Sequence, residues 1–153
     1  MGKIDSDKGK GPYPTHFCNV DLDIFSRARL EPLVAAFGDS VFVHYVGPER
    51  AMFGAHVALP SYGQSADTLT RDLCRLVARL PPGARRLWNR AKRREFNVGV
   101  EAGWEPHSHE IHLEESTIEW VARLGGSIVI TTYAPEVAPT KARPTARAGG
   151  RKK

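Results

Sequence analysis

Residues 20–25 read Val20-Asp21-Leu22-Asp23-Ile24-Phe25, in which aliphatic and acidic side chains alternate. Successive side chains of a β-strand point to opposite faces, so this alternation predicts a strand with one buried face and one face in water. Asp21 and Asp23 share the outer face and could hold a divalent cation or act as an acid and base pair. We favour the simpler interpretation, in which they are the polar side of a half-buried strand.

Apolar periodicity predicts the other elements on either side of this strand. In chain order they are a helix from Ser26 to Gly38, strands at 41–46 and 51–59, helices beginning at Ser65 and Pro82, strands at 96–100 and 107–113, a helix near Ser116 and a strand at Ser127–Tyr133. The order β-α-β-β-α-α-β-β-α-β predicts an α+β fold. We expect a two-layer sandwich of a mostly antiparallel sheet of about six strands with helices on one face.

The two central strands are connected by Gly47-Pro48-Glu49-Arg50, whose Gly-Pro pair is typical of a tight reversal. A hairpin closed by these residues pairs His44 with Phe53 and His56 with residue 41. In that register the two histidines point to opposite faces of the sheet. The sequence therefore predicts that they do not share a site.

The net charge of +5 is concentrated at the carboxyl end of the chain. Residues 136–153 contain six Lys or Arg and one Glu, whereas residues 13–135 contain 13 Lys or Arg and 14 Asp or Glu. Segments with few apolar and many charged residues do not offset the entropy of ordering. We predict a disordered segment at 1–12, a single α+β domain at 13–135 and a disordered basic tail at 136–153.

The cysteine count and the hydropathy of the sequence indicate the cellular compartment in which we expect the protein. The chain has two cysteines, too few for a disulfide framework, and its first residues are charged without the apolar core of an export signal. Its longest apolar runs, such as 33–37, are far shorter than the ~20 residues that span a bilayer. We expect a cytoplasmic protein without a membrane partner.

Three histidines fall within the sequence His107-Ser108-His109-Glu110-Ile111-His112 and raise the possibility of a zinc site. In an extended strand His107 and His109 share a face and His112 points away, so we expect an exposed polar strand with no bound metal. A metal-dependent hydrolase using His107, His109 and a carboxylate is the third hypothesis. Established nucleophile and phosphate-binding motifs are absent from the sequence, and we expect neither catalytic residues nor a cofactor.

The basic residues of segment 85–94 are the densest cluster of charge in the predicted domain, and an acidic run between residues 101 and 119 follows them. Segregated charge is typical of partner recognition, because complementary patches steer encounter. We predict a non-catalytic protein-binding domain, of the immunity type or a regulatory partner. Its predicted binding residues are Arg85, Arg86, Arg90, Arg93 and Arg94.

The alternative hypothesis is a nucleic-acid-associated protein in which helix 85–94 and the tail contact phosphates together. The further residues predicted for this role are Lys92, Lys141, Arg143, Arg147, Arg151, Lys152 and Lys153. Such binding weakens steeply as the salt concentration rises.

Residues 96–133 include Phe96-Asn97-Val98-Gly99-Val100, then 113–118, and then a helix that ends at Gly125-Gly126 before the strand Ser127–Tyr133. This part of the chain resembles the closing strand-helix-strand of small uncharacterised bacterial α+β domains, which are known mainly as families of unknown function. The resemblance implies a bacterial cytoplasmic origin and an α+β sheet. It implies no catalytic residues.

Overall fold

The computed structural model describes residues 14–60 and 63–135, which form an α+β structure with a five-stranded mixed sheet and four α-helices. The elements are β1 His16–Ser26, α1 Glu31–Ala36, β2 Phe42–Glu49, β3 Met52–Ala58, α2 Ala66–Ala78, α3 Pro82–Arg90, β4 Arg93–Glu101, α4 Glu115–Arg123 and β5 Ser127–Tyr133. The segments predicted to be disordered, 1–12 and 136–153, lie outside the described residues.

The strand order is β2-β3-β1-β4-β5. Strand β1 is antiparallel to both β3 and β4, β2 is antiparallel to β3, and β5 is parallel to β4. Strands β1 to β4 therefore form two interlocked split βαβ units, the connectivity of a ferredoxin-like motif. Helix α4 then supplies the crossover that a parallel β5 requires.

The helices pack on one side of the sheet. The even-numbered residues Val20, Leu22 and Ile24 of β1 belong to the same buried cluster as helix residues that include Leu73 of α2 and Trp88 of α3. The side chain of Ser65 caps α2 by accepting the backbone N–H of Thr68, as its position before an amphipathic run predicts. The predicted α+β class is confirmed, with a mixed sheet of five strands in place of the mostly antiparallel sheet of about six.

Trp88 joins the helical layer to the end of α4. Its side chain is fully buried, and its Nε1–H donates to the carbonyl oxygen of Leu124 at 2.9 Å. A carbonyl near a helix end has no partner within the helix, so this hydrogen bond satisfies a group that burial would otherwise penalise. Among the described residues, no helix has both the length and the apolarity needed to cross a membrane.

The prediction of a strand at 107–113 is wrong, and it accounts for the difference between about six predicted strands and the observed five. Strand β5 occupies the free edge of β4, so segment 107–113 finds no strand to pair with there. Ile111 and Leu113 instead pack against the core from an extended connection. Their alternation with polar residues comes from this packing and not from a sheet.

The predicted register of the β2–β3 hairpin is also wrong. The turn is at Arg50 and Ala51, which places Tyr45 opposite His56, and a bulge at His44 shifts the pairing of Val43 and Phe42 beyond it. The extra residue of a bulge changes which side chains share a face. His44 and His56 consequently approach Asp21 and Asp23, which alternate onto the same side of β1.

Candidate functional site

The side of the sheet opposite the helices, which we call the uncovered face, carries the odd-numbered side chains of β1 from Asn19 to Phe25. The residues paired with them in register are Ala58, His56 and Gly54 of β3, and Gly99, Asn97, Glu95 and Arg93 of β4. Its centre is less exposed than a solvated sheet would be, since Asp23 is buried and His56 is half-buried. Asp23 thus lies on the polar side of β1, as the alternation predicts, but it is buried and not in water.

His56 lies between two carboxylates. Its Nδ1 is 2.7 Å from Asp23 Oδ1, and its Nε2 is 2.7 Å from Glu49 Oε2. Burial lowers the pKa of His56, but the hydrogen bonds with Asp23 and Glu49 outweigh it, so the pKa is raised above its ordinary value. A carboxylate can only accept, and the two contacts are satisfied together when both ring nitrogens carry a proton. The geometry thus favours an imidazolium.

The hydrogen bonds continue from Asp23 across the rest of the sheet. Asn97 Nδ2 donates to Asp23 Oδ2 at 3.0 Å, and Thr131 Oγ1 donates to Asn97 Oδ1 at 2.7 Å. Glu49, His56, Asp23, Asn97 and Thr131 come from β2, β3, β1, β4 and β5 in their spatial order. We call this series the polar chain. It fixes one side chain from each strand of the sheet.

Glycine makes room for the first link of the polar chain. A Cβ atom added at Gly54 would lie 2.0 Å from Glu49 Oε2 and 3.1 Å from its Cδ. The Glu49 side chain therefore crosses β3 over the space that Gly54 leaves open. The Phe25 ring closes one side of the imidazole, edge to face with His56 at 5.5 Å between ring centres.

Asp21 lies two residues before Asp23 and has separate partners. Asn19 Nδ2 donates to Asp21 Oδ1 at 3.2 Å, and His44 Nε2 lies 3.7 Å from the same oxygen. Burial is the main reason that the pKa of Asp21 is raised, and the nearby charge of Asp23 adds to it. Each carboxylate thus faces its own histidine, and the structure gives no support to a cation shared by Asp21 and Asp23.

The predicted partner-binding arginines have different surroundings: Arg85, Arg86 and Arg90 lie on α3, Arg94 contacts the end of α3, and Arg93 points to the uncovered face. Arg85 Nη2 donates to the carbonyl of Val77, and Arg94 donates to the carbonyls of Gly125, Trp88 and Asn89. Arg93 lies on the uncovered face, where it makes two hydrogen bonds with Glu95 and stacks 4.1 Å from the Phe25 ring centre. Arg86 and Arg90 are exposed on α3.

The other predicted residues are scattered. Lys92 is exposed, and its backbone N–H donates to Phe25. His107 and His109 are exposed in the connection before α4, and the structure does not bring them together with a third ligand among the described residues. The basic residues of the tail, Lys141, Arg143, Arg147, Arg151, Lys152 and Lys153, lie outside the described residues.

Aromatic side chains and a depression adjoin the polar chain. Phe42 is 63% exposed, and Tyr45 and Tyr133 are about half exposed. The depression has a volume of about 390 Å³, and Cys18, Asn19, Phe42, His44 and Ala58 are among the residues that line it. The uncovered face thus combines a fixed polar centre with exposed rings at its edges.

Sequence reasoning missed the polar chain as a unit. Three of its four hydrogen bonds join residues that are at least 33 positions apart in the sequence. The sequence pattern indicated only that Asp23 is a polar residue on the outer face and that His56 has no histidine partner. The one local signal is the glycine at position 54 in an otherwise β-prone strand, which is typical of close approach by another group. No protein-family profile matches this chain, and no curated protein or solved structure is detectably similar to it.

Proposed function

We propose that this chain is a non-catalytic protein-binding domain that recognises a basic partner protein through its uncovered face. The observation that carries the proposal is the polar chain, which holds buried and half-buried charges in place on a sheet face that no helix of the described residues covers. Fixing polar groups before binding reduces the entropy lost on association. The surface is therefore organised for recognition in advance.

The chemistry of the polar chain supports binding over catalysis. A general base needs a nitrogen or oxygen lone pair aimed at substrate, whereas both ring nitrogens of His56 are occupied by carboxylates. Asp23 uses one oxygen for His56 and the other for Asn97. A group held in this way contributes shape and charge, and it does not move a proton to a ligand.

The charge of the uncovered face indicates the partner's chemistry. Carboxylates outnumber cations on the strand positions that point to this side, where the cations are Arg93 and the His56 imidazolium and the carboxylates are Asp21, Asp23, Glu49, Glu95 and Glu101. Acidic surfaces associate fastest with basic ones, and exposed aromatic residues such as Phe42 and Tyr133 are enriched at interface centres. A basic protein surface matches both features.

The immunity-type role follows from the same complementarity. A toxin that acts on nucleic acid or another anionic substrate presents a basic binding surface, and an acidic sheet face can cover it. This proposal includes a cytoplasmic site of action, in which we expect Cys18 and Cys74 to stay reduced.

The proposal is tested by capture and then by measured affinity. The full chain is immobilised, proteins retained from a lysate of the source organism are identified by mass spectrometry, and the candidate partner is purified. Its affinity is then measured for the wild type, for F42S/Y133S on the uncovered face, and for R86E/R90E on the helical side as the matched control.

We expect a partner with a basic surface whose affinity falls at least about tenfold for F42S/Y133S, which corresponds to the loss of ~1.4 kcal/mol of binding free energy. R86E/R90E should bind as the wild type does. Failure to recover any protein partner, or binding that depends on Arg86 and Arg90, contradicts the proposal. Recovery of nucleic acid with binding that weakens steeply with salt supports the alternative instead.

A further inference from the structure

A second cluster lies at the other end of the uncovered face, where β1 begins and β4 ends. His16 is paired with Glu101 in register, and His16 Nε2 is 3.6 Å from Glu101 Oε2. One ligand atom from each of His16, Cys18 and Glu101 lies within 4.8 Å of the other two. Imidazole nitrogen, thiolate sulfur and carboxylate oxygen are the donor atoms by which proteins hold zinc.

A β-bulge explains how these side chains reach the same face. Phe17 is paired with Val100 and Asn19 with Gly99, so Cys18 is the extra residue between them. In a strand with no bulge, strict alternation would put Cys18 on the same side as the buried Val20. The bulge resets the alternation, so that Val20 enters the core while Cys18 stays on the uncovered face.

Cys18 lies against Gly99 on the uncovered face of the sheet. A Cβ atom added at Gly99 would lie 3.7 Å from Cys18 Cβ and 3.5 Å from Tyr133 Cε2, which shows that Cys18 is above Gly99 on this side of the sheet. Bulges and strand glycines both weaken regular pairing, and they often mark the place where a strand re-aims a side chain or admits a ligand.

The tautomer of His16 is fixed in the form that a metal requires. His16 Nδ1 lies 3.1 Å from the carbonyl oxygen of Pro14, and because a carbonyl only accepts, Nδ1 carries the proton. The neutral ring then has its lone pair on Nε2, the atom that faces Glu101. Metal-bound histidines commonly donate their other N–H to a backbone carbonyl in this way.

We infer that His16, Cys18 and Glu101 form a binding site for a divalent transition metal of the zinc and cobalt class. Binding releases the proton of the Cys18 thiol, since the thiolate is the ligand. The three protein ligands leave a tetrahedral position for water. This site is separate from the polar chain, and its existence does not depend on the proposed protein partner.

The experiment uses the full chain, freed of metal with a chelator and kept reduced. Cobalt(II) is titrated first, because thiolate ligation gives a sulfur-to-cobalt charge-transfer band, and zinc is then measured by competition with a chromophoric chelator. The variants are H16Q and C18S, with H109Q as the matched histidine control. Cys74 does not contribute to the band, because it is buried and its burial raises the pKa of the thiol to about 12.

We expect one equivalent of cobalt with a charge-transfer band that C18S abolishes. Zinc affinity should fall at least ~10–100-fold in H16Q, the loss typical even of groups that only support a ligand, and should be unchanged in H109Q. Circular dichroism confirms that each variant is folded. Absence of stoichiometric binding, retention of the band in C18S, or an equal loss in H109Q would overturn the inference.

Discussion

Replacing His56 with glutamine removes the cation at the centre of the polar chain. Glutamine is neutral, and both of its N–H donors lie on one nitrogen, whereas Asp23 and Glu49 contact the two different ring nitrogens of His56, so the carboxylates lose their shared cationic partner. A hydrogen bond to a charged group contributes about 1.5–3 kcal/mol to stability. Because the side chain of Glu49 is 34% exposed, water replaces part of its contact. We therefore expect H56Q to lose about 2–4 kcal/mol of unfolding free energy.

The pH dependence provides the sharper part of this prediction. The pKa of His56 is raised in the folded state by its two carboxylate partners, against the effect of burial. The stabilisation is therefore fully present below the unfolded value of about 6.5 and is lost as the pH rises through the folded pKa. The gap between wild type and H56Q should narrow as the pH increases from 6 to 9.

The assay is urea unfolding followed by circular dichroism at several pH values. H44Q is the matched control, because the side chain of His44 is 49% exposed and lies 3.7 Å from Asp21, a contact expected to contribute less than about 1 kcal/mol. An H56Q variant as stable as H44Q, or a gap that widens with increasing pH, would refute the reasoning.

Two further substitutions test the packing around the site and the core. G54A should lower the free energy of unfolding, measured in urea, by about 1–3 kcal/mol, because the new methyl group takes the place of the Glu49 carboxylate and separates it from His56. A G54A variant as stable as the wild type would contradict the proposed role of Gly54. W88F should also lower the free energy of unfolding by about 1–3 kcal/mol, since the Leu124 carbonyl loses its hydrogen-bond donor. Thermal unfolding measures this loss, and an unchanged midpoint temperature would contradict it.

The strands and helices with clear periodicity were predictable from the sequence. The alternation at 20–25 placed Leu22 and Ile24 in the core, and the pattern after Ser65 placed α2 on the sheet. Both depend on residues that are close in sequence and whose burial follows a fixed period. The strand prediction at 107–113 failed because the same apolar spacing fits an irregular connection whose Ile111 and Leu113 pack against the core.

The candidate sites were not predictable, for two physical reasons. Bulges at Cys18 and His44 each insert one residue and change which side chains share a face of the sheet. A prediction from strict alternation along the strand cannot detect these bulges. The polar chain joins His56 to Thr131 through contacts between residues distant in sequence. Alternation predicted that Asp23 lies on the outer face of β1. It could not predict that a histidine and an asparagine form hydrogen bonds with its carboxylate.

Imidazole nitrogen chemical shifts, followed through a pH titration, test the central claim most directly. If the polar chain holds His56 as an imidazolium, both ring nitrogens should report protonation at neutral pH, with a pKa above the ordinary 6.5. A His56 that titrates at or below that value with one unprotonated nitrogen would contradict the account, because a free lone pair would make it a base available for catalysis.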